Sequence, residues 1–186
     1  MKKFLCIGYF SFCTFLLISQ NVGINTTMPG AKLHVNGDIK ITDGSQGTGE
    51  VLTSNADGLA SWQPPKTVFA LASSSAVATN DYVGLGSSGS SFIRNTIVVP
   101  FNCEITSLTF SLRKMALITY TCTIWVSPGN GNPPVSTGIQ ATVNVGNYFA
   151  ISSIGAYPLI AGDLLSVRIS SGTTDGIAAS IIVNGL

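Results

Sequence analysis

Charged residues are scarce in this sequence: lysine, arginine, aspartate and glutamate make up only 9% of its 186 residues. Nine basic residues stand against eight acidic ones, so no block of positive charge is available to neutralise nucleic-acid phosphates or an anionic membrane surface. The surface must be made soluble by hydroxyl and amide groups, and low charge leaves little electrostatic obstacle to close subunit packing. The composition excludes a nucleic-acid-binding protein and favours a rigid extracellular oligomer.

Residues suited to acid-base or metal chemistry are also few. His34 is the only histidine, which excludes a multi-histidine metal site or an imidazole pair. The serine-rich stretch at residues 87–91 lacks the Gly-Lys-Ser/Thr core of a phosphate-binding loop, and we predict a flexible or solvated loop there. No spacing pairs two carboxylates for glycoside hydrolysis among Asp81, Glu104, Asp163 and Asp175. We therefore predict no enzyme activity, no cofactor and no metal site.

The N-terminus has the pattern of a secretory signal peptide. Lys2 and Lys3 precede an apolar run from Phe4 to Ile18, which is shorter than the ~18 residues typical of a spanning helix. We predict cleavage after residue 19, with a membrane anchor as the alternative. The mature chain then has seven basic and eight acidic residues, is secreted or held at the extracellular surface, and has no membrane insertion.

Only two cysteines, Cys103 and Cys122, remain after export, where the compartment permits a disulfide. Residues 101–112 and 117–126 read as a hairpin that turns near Lys114. This register places the two cysteines about 13 Å apart, beyond the bridging limit of ~7 Å between Cα atoms. We predict two buried free thiols, whereas a β-bulge or a different strand pairing would allow a disulfide.

A change in composition at residues 62–65 marks a domain boundary, because paired prolines cannot donate to a sheet ladder. We divide the chain into a signal peptide at residues 1–19, a β stem at 20–65 and a head at 66–186. Within the stem, the strands at residues 32–35 and 38–42 flank Asn36-Gly37, which is a strong hairpin-turn signal. The stem has too few large apolar side chains to form a core alone, and it therefore needs partners.

Apolar residues of the head recur with a period of two, which is typical of half-buried antiparallel strands. The run from residue 178 to 183 is continuously apolar and predicts either a central strand or one buried between subunits. Regular short strands with Gly, Pro and Asn turns predict an all-β sandwich or jelly roll. The predicted inward positions are Leu108, Phe110, Leu112, Tyr120, Cys122, Ile124, Val126, Ala141, Val143, Val145, Leu165, Val167 and Ile169.

The stretch VGINTTMPGAKLHVNGDI, residues 22–39, resembles a module of bacterial exported proteins and phage tail fibres with the approximate pattern V-G-I-G-T-T-x-P-x-A-K-L-H-V-x-G. Asn25 stands where glycine is usual. Residues 49–62, GEVLTSNADGLASW, resemble its continuation. The resemblance implies a short trimeric β stem without a catalytic role. We assign the contacts between copies to Leu33, Val35, Ile39 and Trp62.

A second, looser resemblance covers roughly residues 68–186. The segments YVGLGSS at 82–88, VPFNCEITSL at 99–108 and LIAGDLL at 159–165 are similar to the head of collagen-like exosporium glycoproteins. Those heads resemble trimeric jelly rolls of the tumour-necrosis-factor and complement-C1q kind. The resemblance implies a homotrimer. The collagen stalk of that family is absent here, and we infer that the short stem takes its place.

Trp125 is the best candidate for exposed recognition, because aromatic faces stack on sugars or receptor side chains. It lies beside the loop containing Asn130 and Asn132, and contact with a neighbouring subunit is the competing interpretation. The sequence thus predicts a non-enzymatic trimeric surface or fibre protein for structure, display or attachment to a surface glycan or receptor. The alternative is a lectin-like protein with a saccharide site at Trp125, Asn130 and Asn132.

Overall fold

A computed structural model describes residues 21–152 and 155–186, and the predicted signal peptide lies outside these ranges. Short strands alternate with turns throughout, and the only helix in the described ranges is a 3₁₀ turn at Ile93–Asn95. The first strands are β1 Val22–Ile24, β2 Leu33–Val35, β3 Val51–Ser54, β4 Ala60–Gln63, β5 Lys66–Ser73, β6 Tyr82–Val83, β7 Leu85–Gly86 and β8 Ser88–Gly89. The others are β9 Ile97–Val98, β10 Cys103–Leu112, β11 Tyr120–Ser127, β12 Val135–Val143, β13 Phe149–Ile151, β14 Tyr157–Leu159, β15 Leu164–Ile169 and β16 Ile177–Gly185.

Two six-stranded sheets form the sandwich. Sheet I has the order β13, β10, β16, β5, β7, with β14 also paired to β10. Sheet II has the order β12, β11, β15, β6, β8, with β9 also paired to β15. Strands β5, β10 and β16 lie in sheet I, and β11, β12 and β15 lie in sheet II. The last strand, β16, lies between β5 and β10, so strands distant in the chain are neighbours, as in a Greek-key jelly roll. The predicted all-β jelly-roll sandwich is therefore confirmed.

The period-two pattern correctly predicted which side chains face the core. Leu108 and Phe110 on β10, and Leu165 and Val167 on β15, are fully buried. They pack in one cluster between the sheets, because the pleat turns alternate side chains to the same face. Val145 is the exception: it is exposed because β12 ends at Val143, before the pattern does.

The predicted hairpin of residues 101–112 with 117–126 is wrong. Strand β10 pairs with β16, β13 and β14 in sheet I, whereas β11 pairs with β12 and β15 in sheet II. Cys103 and Cys122 therefore belong to different sheets and are both buried free thiols, as predicted. The two thiols are kept apart by the spacing of about 10 Å between packed sheets, and not by the strand register that the sequence predicted. The run at residues 178–183 lies in β16, which is a central strand between β10 and β5.

The hairpin predicted at Asn36-Gly37 is also wrong. Strand β2 pairs in parallel with β1, Val22 opposite Leu33 and Ile24 opposite Val35, and residues 38–42 form no strand. In place of the expected turn, the side-chain amides of Asn25 and Asn36 each donate a hydrogen bond to the backbone carbonyl of the other. The chain separates into two compact units, one up to Gly44 and one from Ser45 to Leu186. The predicted boundary at residues 65 and 66 stays a prediction.

Candidate binding surfaces

Three aromatic rings and one arginine form a cluster on the outer face of sheet II, which we call the aromatic cluster. The ring of Tyr82 packs edge-on against Phe92 at 5.2 Å and against Trp125 at 5.9 Å between centroids. The guanidinium carbon of Arg168 lies 4.9 Å from the Trp125 ring centroid and 5.3 Å from that of Tyr82. These distances are within cation-π range, so the cluster is held by both aromatic and electrostatic attraction.

The predicted saccharide residues lie at the end of β11 and in the loop that follows it. Trp125 is half-buried within the aromatic cluster. The exposed Asn132 donates its side-chain amide to the carbonyl of Gly129, and Asn130 has a positive φ of 52°. The two asparagines thus stabilise a tight turn, while Trp125 contacts Arg168. A saccharide site made of Trp125, Asn130 and Asn132 stays a prediction.

The sequence did not identify Arg168, Tyr82 or Phe92 as site residues. Strand pairing brings them together from three separate segments, with Arg168 of β15 directly opposite Tyr82 of β6. One signal was available: Arg168 is the only charged residue in its apolar strand, LLSVRI. An isolated charged residue at an outward position of an apolar strand indicates that its side chain has a specific partner.

Three consecutive cross-strand rows on the outer face of sheet I are apolar or weakly polar and contain no charged side chain, and we call this part of the sheet the uncharged face. Its rows run across the strands, such as Ile151, Thr109, Ser180 and Ala70 in register. Several of its large side chains are solvent-exposed, with Phe149 at 61% and Leu85 at 73%. The complete set is Val68, Ala70, Ala72, Leu85, Ser107, Thr109, Ser111, Phe149, Ile151, Ala178, Ser180 and Ile182.

Charges appear only at the border of the uncharged face. Glu104, Asn184 and Lys66 form the next cross-strand row at one end. Arg113 lies beyond the other end and donates to the carbonyl of Ser74. Five strands give the face a width of about 19 Å. Large exposed apolar surfaces are uncommon on monomeric proteins, so a surface of this kind indicates an interaction site.

The unit up to Gly44 has no core within its described part. None of residues 21–44 is buried, and Leu33 and Ile39 are 59% and 64% exposed. Val35 and Trp62, the other two residues assigned to the stem contacts, are half-buried. His34 accepts a hydrogen bond from the backbone of Gly30, which is a structural role. The contacts assigned to these stem residues stay a prediction.

The serine-rich segment at residues 87–91, predicted to be a flexible or solvated loop, includes a short strand, while Ser87, Ser90 and Ser91 are exposed. Strand β8 begins at Ser88 and pairs with β6. The side chain of Asn95, only 4% exposed, fixes the segment: its Oδ1 accepts from Ser87 and its Nδ2 donates to the carbonyl of Ser91. A single buried amide therefore holds both ends of the segment.

Replacing Asn95 with alanine is expected to lower the free energy of unfolding by about 1–3 kcal/mol, because the hydrogen bonds to Ser87 and to the carbonyl of Ser91 are lost. Denaturant unfolding followed by circular dichroism measures the loss. The exposed Asn144→Ala is the matched control, with an expected change below about 0.5 kcal/mol. Equal effects of the two substitutions would contradict the role of Asn95.

Three of the four carboxylates considered for catalysis have structural partners. Asp163 accepts a hydrogen bond from the backbone of Ile160 within a turn, and Asp81 accepts one from the backbone of Ala78. Asp175 forms the only salt bridge of the described residues, with Lys114, and the hydrogen bond and charge of Lys114 lower the pKa of Asp175.

Two surface cavities accompany these groups. One of about 440 Å³ is lined by Tyr120 and the Lys114–Asp175 pair, and one of about 850 Å³ by Glu50, Phe101 and Leu186. Neither is lined by two acidic side chains. No group of three potential metal ligands occurs among residues 21–152 and 155–186. In the same ranges, no helix has the length and apolar character needed to cross a membrane.

No protein-family model matches the chain, and no curated protein sequence matches it. The chain is similar to the structure of Eiger TNF from S. frugiperda, with 11% identity and a TM-score of 0.42 over 67% of this chain and 96% of that one. It is also similar to the globular domain of zebrafish complement 1qA protein, with 14% identity and a TM-score of 0.39 over 66% of this chain and 96% of that one.

A third similarity is to the PRD1 vertex protein P5, with 12% identity and a TM-score of 0.35 over 87% of this chain and 91% of that one. Similarities at these identities and TM-scores say nothing about function. The jelly-roll assignment rests on the strand order of the two sheets.

Proposed function

We propose that the chain is a non-enzymatic homotrimeric protein of the extracellular surface, which serves in structure, display or attachment. The uncharged face carries the proposal. A sheet face that stays in water normally alternates its core side chains with polar and charged ones. Here the outward positions are Ala, Val, Leu, Ile, Phe, Ser and Thr, which suit the dry centre of a protein interface.

The occupant that fits this face is a second copy of the same chain. Scarce charge on both surfaces removes like-charge repulsion, and the described residues up to Gly44 also expose apolar side chains that they cannot bury themselves. Each copy in a closed ring offers the same surfaces to its neighbours. The threefold order itself rests on the resemblance of residues 22–39 and 49–62 to trimeric stems.

Light scattering on the mature chain, from Gln20 onward, tests the proposal and is expected to give three times the mass of one chain. Ala70→Glu places a carboxylate at the centre of the uncharged face, where Ala70 is exposed in the single chain. A single chain tolerates this charge, whereas a dry interface does not, so we expect dissociation to single chains.

The matched control is Gln140→Glu, at an exposed position on the outer face of sheet II. It adds the same charge and is expected to leave the mass at three chains. Near-ultraviolet circular dichroism on both variants establishes that each is folded. A single-chain mass for the unsubstituted protein, or a trimer of Ala70→Glu, would refute the proposal.

Carbohydrate binding at Trp125, Asn130 and Asn132 is the alternative function. The exposed loop that presents the two asparagines favours it, whereas the stacking of Arg168 on Trp125 covers part of the ring that a sugar would use. Binding of a neutral oligosaccharide that is lost in both Trp125→Ala and Asn130→Ala would support this alternative.

A further inference from the structure

Four polar side chains form one straight row across sheet II. Gln140, Thr123, Arg168 and Tyr82 lie on β12, β11, β15 and β6 and are direct neighbours in register. Strands lie about 4.8 Å apart, so the row is about 14 Å long, which is close to the length of a trisaccharide. It presents, in order, an amide, a hydroxyl and a guanidinium, while the buried ring of Tyr82 supports Arg168 from below.

Arg168 is held in place with part of its hydrogen-bonding capacity unused. Its guanidinium lies over Trp125 and Tyr82, and its Nε donates to the carbonyl of Asn80 at 3.1 Å. No carboxylate of the described residues forms a salt bridge with Arg168. The nearby Asp81 accepts a hydrogen bond from the backbone of Ala78. The two terminal amino groups of a guanidinium so oriented match the two oxygens of a carboxylate.

Arg168 is also the only charged residue in the six strands of sheet II. A nucleic acid, a sulfated polymer or a polyacidic peptide carries closely spaced charges and needs several cations to bind. A single cation flanked by a hydroxyl, an amide and aromatic rings suits a ligand with one carboxylate, several hydroxyls and an apolar ring face. Acidic sugars have these groups.

We propose that this row binds an acidic saccharide. The carboxylate of a uronic-acid or sialic-acid residue pairs with the terminal amino groups of Arg168. Neighbouring sugar hydroxyls bond to Thr123 and Gln140, and the exposed part of Trp125 contacts a sugar ring. This site shares Trp125 with the alternative function above but does not depend on trimer formation.

The test is a titration of the mature chain with sialyllactose, a trisaccharide with a single carboxylate, followed by nuclear magnetic resonance. We expect saturable binding that weakens as salt is added, because ionic strength screens a partly exposed ion pair. Arg168→Gln is expected to weaken binding at least tenfold. Arg113→Gln removes an equal charge beyond the far end of sheet I and is the matched control, with no expected change.

Two further ligands and two further variants separate this proposal from simpler explanations. Galactosyllactose, a neutral trisaccharide, and triglutamate are each expected to bind at least tenfold more weakly than sialyllactose. Arg168→Lys keeps the charge without the planar fork, and Thr123→Val leaves Arg168 in place; each is expected to weaken binding about threefold or more. Thermal unfolding establishes that the variants are folded.

Three results would overturn the proposal: no saturable binding of sialyllactose, unchanged binding by folded Arg168→Gln, or binding of triglutamate as tight as that of sialyllactose. Light scattering on the same samples keeps the two proposals distinct. Arg168→Gln is expected to lose saccharide binding while the mass of the oligomer is unchanged. Ala70→Glu is expected to dissociate the oligomer while saccharide binding is unchanged.

Discussion

Substitution of Phe110 by alanine is expected to lower the free energy of unfolding by about 3–5 kcal/mol. Phe110 is fully buried on β10, opposite Ala179 of β16, in the middle of sheet I. Removal of its ring forfeits the transfer free energy of the buried atoms and leaves a cavity that a close-packed sandwich cannot fill. Denaturant unfolding of the mature chain, followed by circular dichroism at a fixed chain concentration, measures the change.

Tyr148→Ala is the matched control for this substitution. Tyr148 is aromatic and 54% exposed in the turn before β13, so its loss is expected to change the free energy of unfolding by less than about 0.5 kcal/mol. The same chain concentration is needed throughout, because the stability of an oligomer depends on it. A loss below about 1 kcal/mol at Phe110 would contradict its central position in the core.

The two thiols of the mature chain are expected to react with a disulfide reagent at least about a thousandfold more slowly in the folded protein than in denaturant. Both are fully buried, and burial raises the pKa of each thiol, with the charge of Asp163 adding to the effect at Cys103. Only the thiolate reacts, so reaction must wait for opening of the sandwich. Opened fractions of about 10⁻³–10⁻⁶ set the size of the effect.

Counting thiols in denaturant without reducing agent provides the second half of this experiment. Two reactive thiols per mature chain are expected, because Cys103 and Cys122 lie in different sheets and are both free. A variant with an exposed thiol, Thr142→Cys, is the reactivity control and is expected to react at once in the folded state. A count of zero in unsubstituted protein would show that the cysteines are paired.

The sequence predicted the direction of core side chains well, because direction within a strand is a local property. Alternation alone placed Leu108, Phe110 and Leu112 inside, and a strand needs no knowledge of its partner to keep this pattern. The same alternation stopped being informative at Val145, where the chain leaves β12 for a turn.

Strand pairing was predicted poorly, because it depends on residues far away in the chain. Adjacent strands β10 and β11 looked like a hairpin, yet the partner of β10 in the middle of sheet I is β16. A local turn signal was likewise misleading at Asn36-Gly37. There, parallel pairing of β1 and β2 determines the backbone path.

The binding surfaces show the same limit. Trp125 was identified from its own strand, as an aromatic residue at an outward position. The residues around it were missed, since Arg168 and Tyr82 reach it only through the order of β11, β15 and β6. Asn95 was missed for a similar reason, because a buried asparagine cannot be distinguished in sequence from one in a turn.

The position of β16 has a consequence for biogenesis. This strand is the last of the sandwich to be synthesised, yet it lies between β5 and β10 and pairs Ile177 with Ser73. Closing so long a loop is slow, and sheet I has no continuous ladder until it happens. Sheet I can therefore close only after β16 has left the ribosome, so folding of the sandwich follows the synthesis of its last strand.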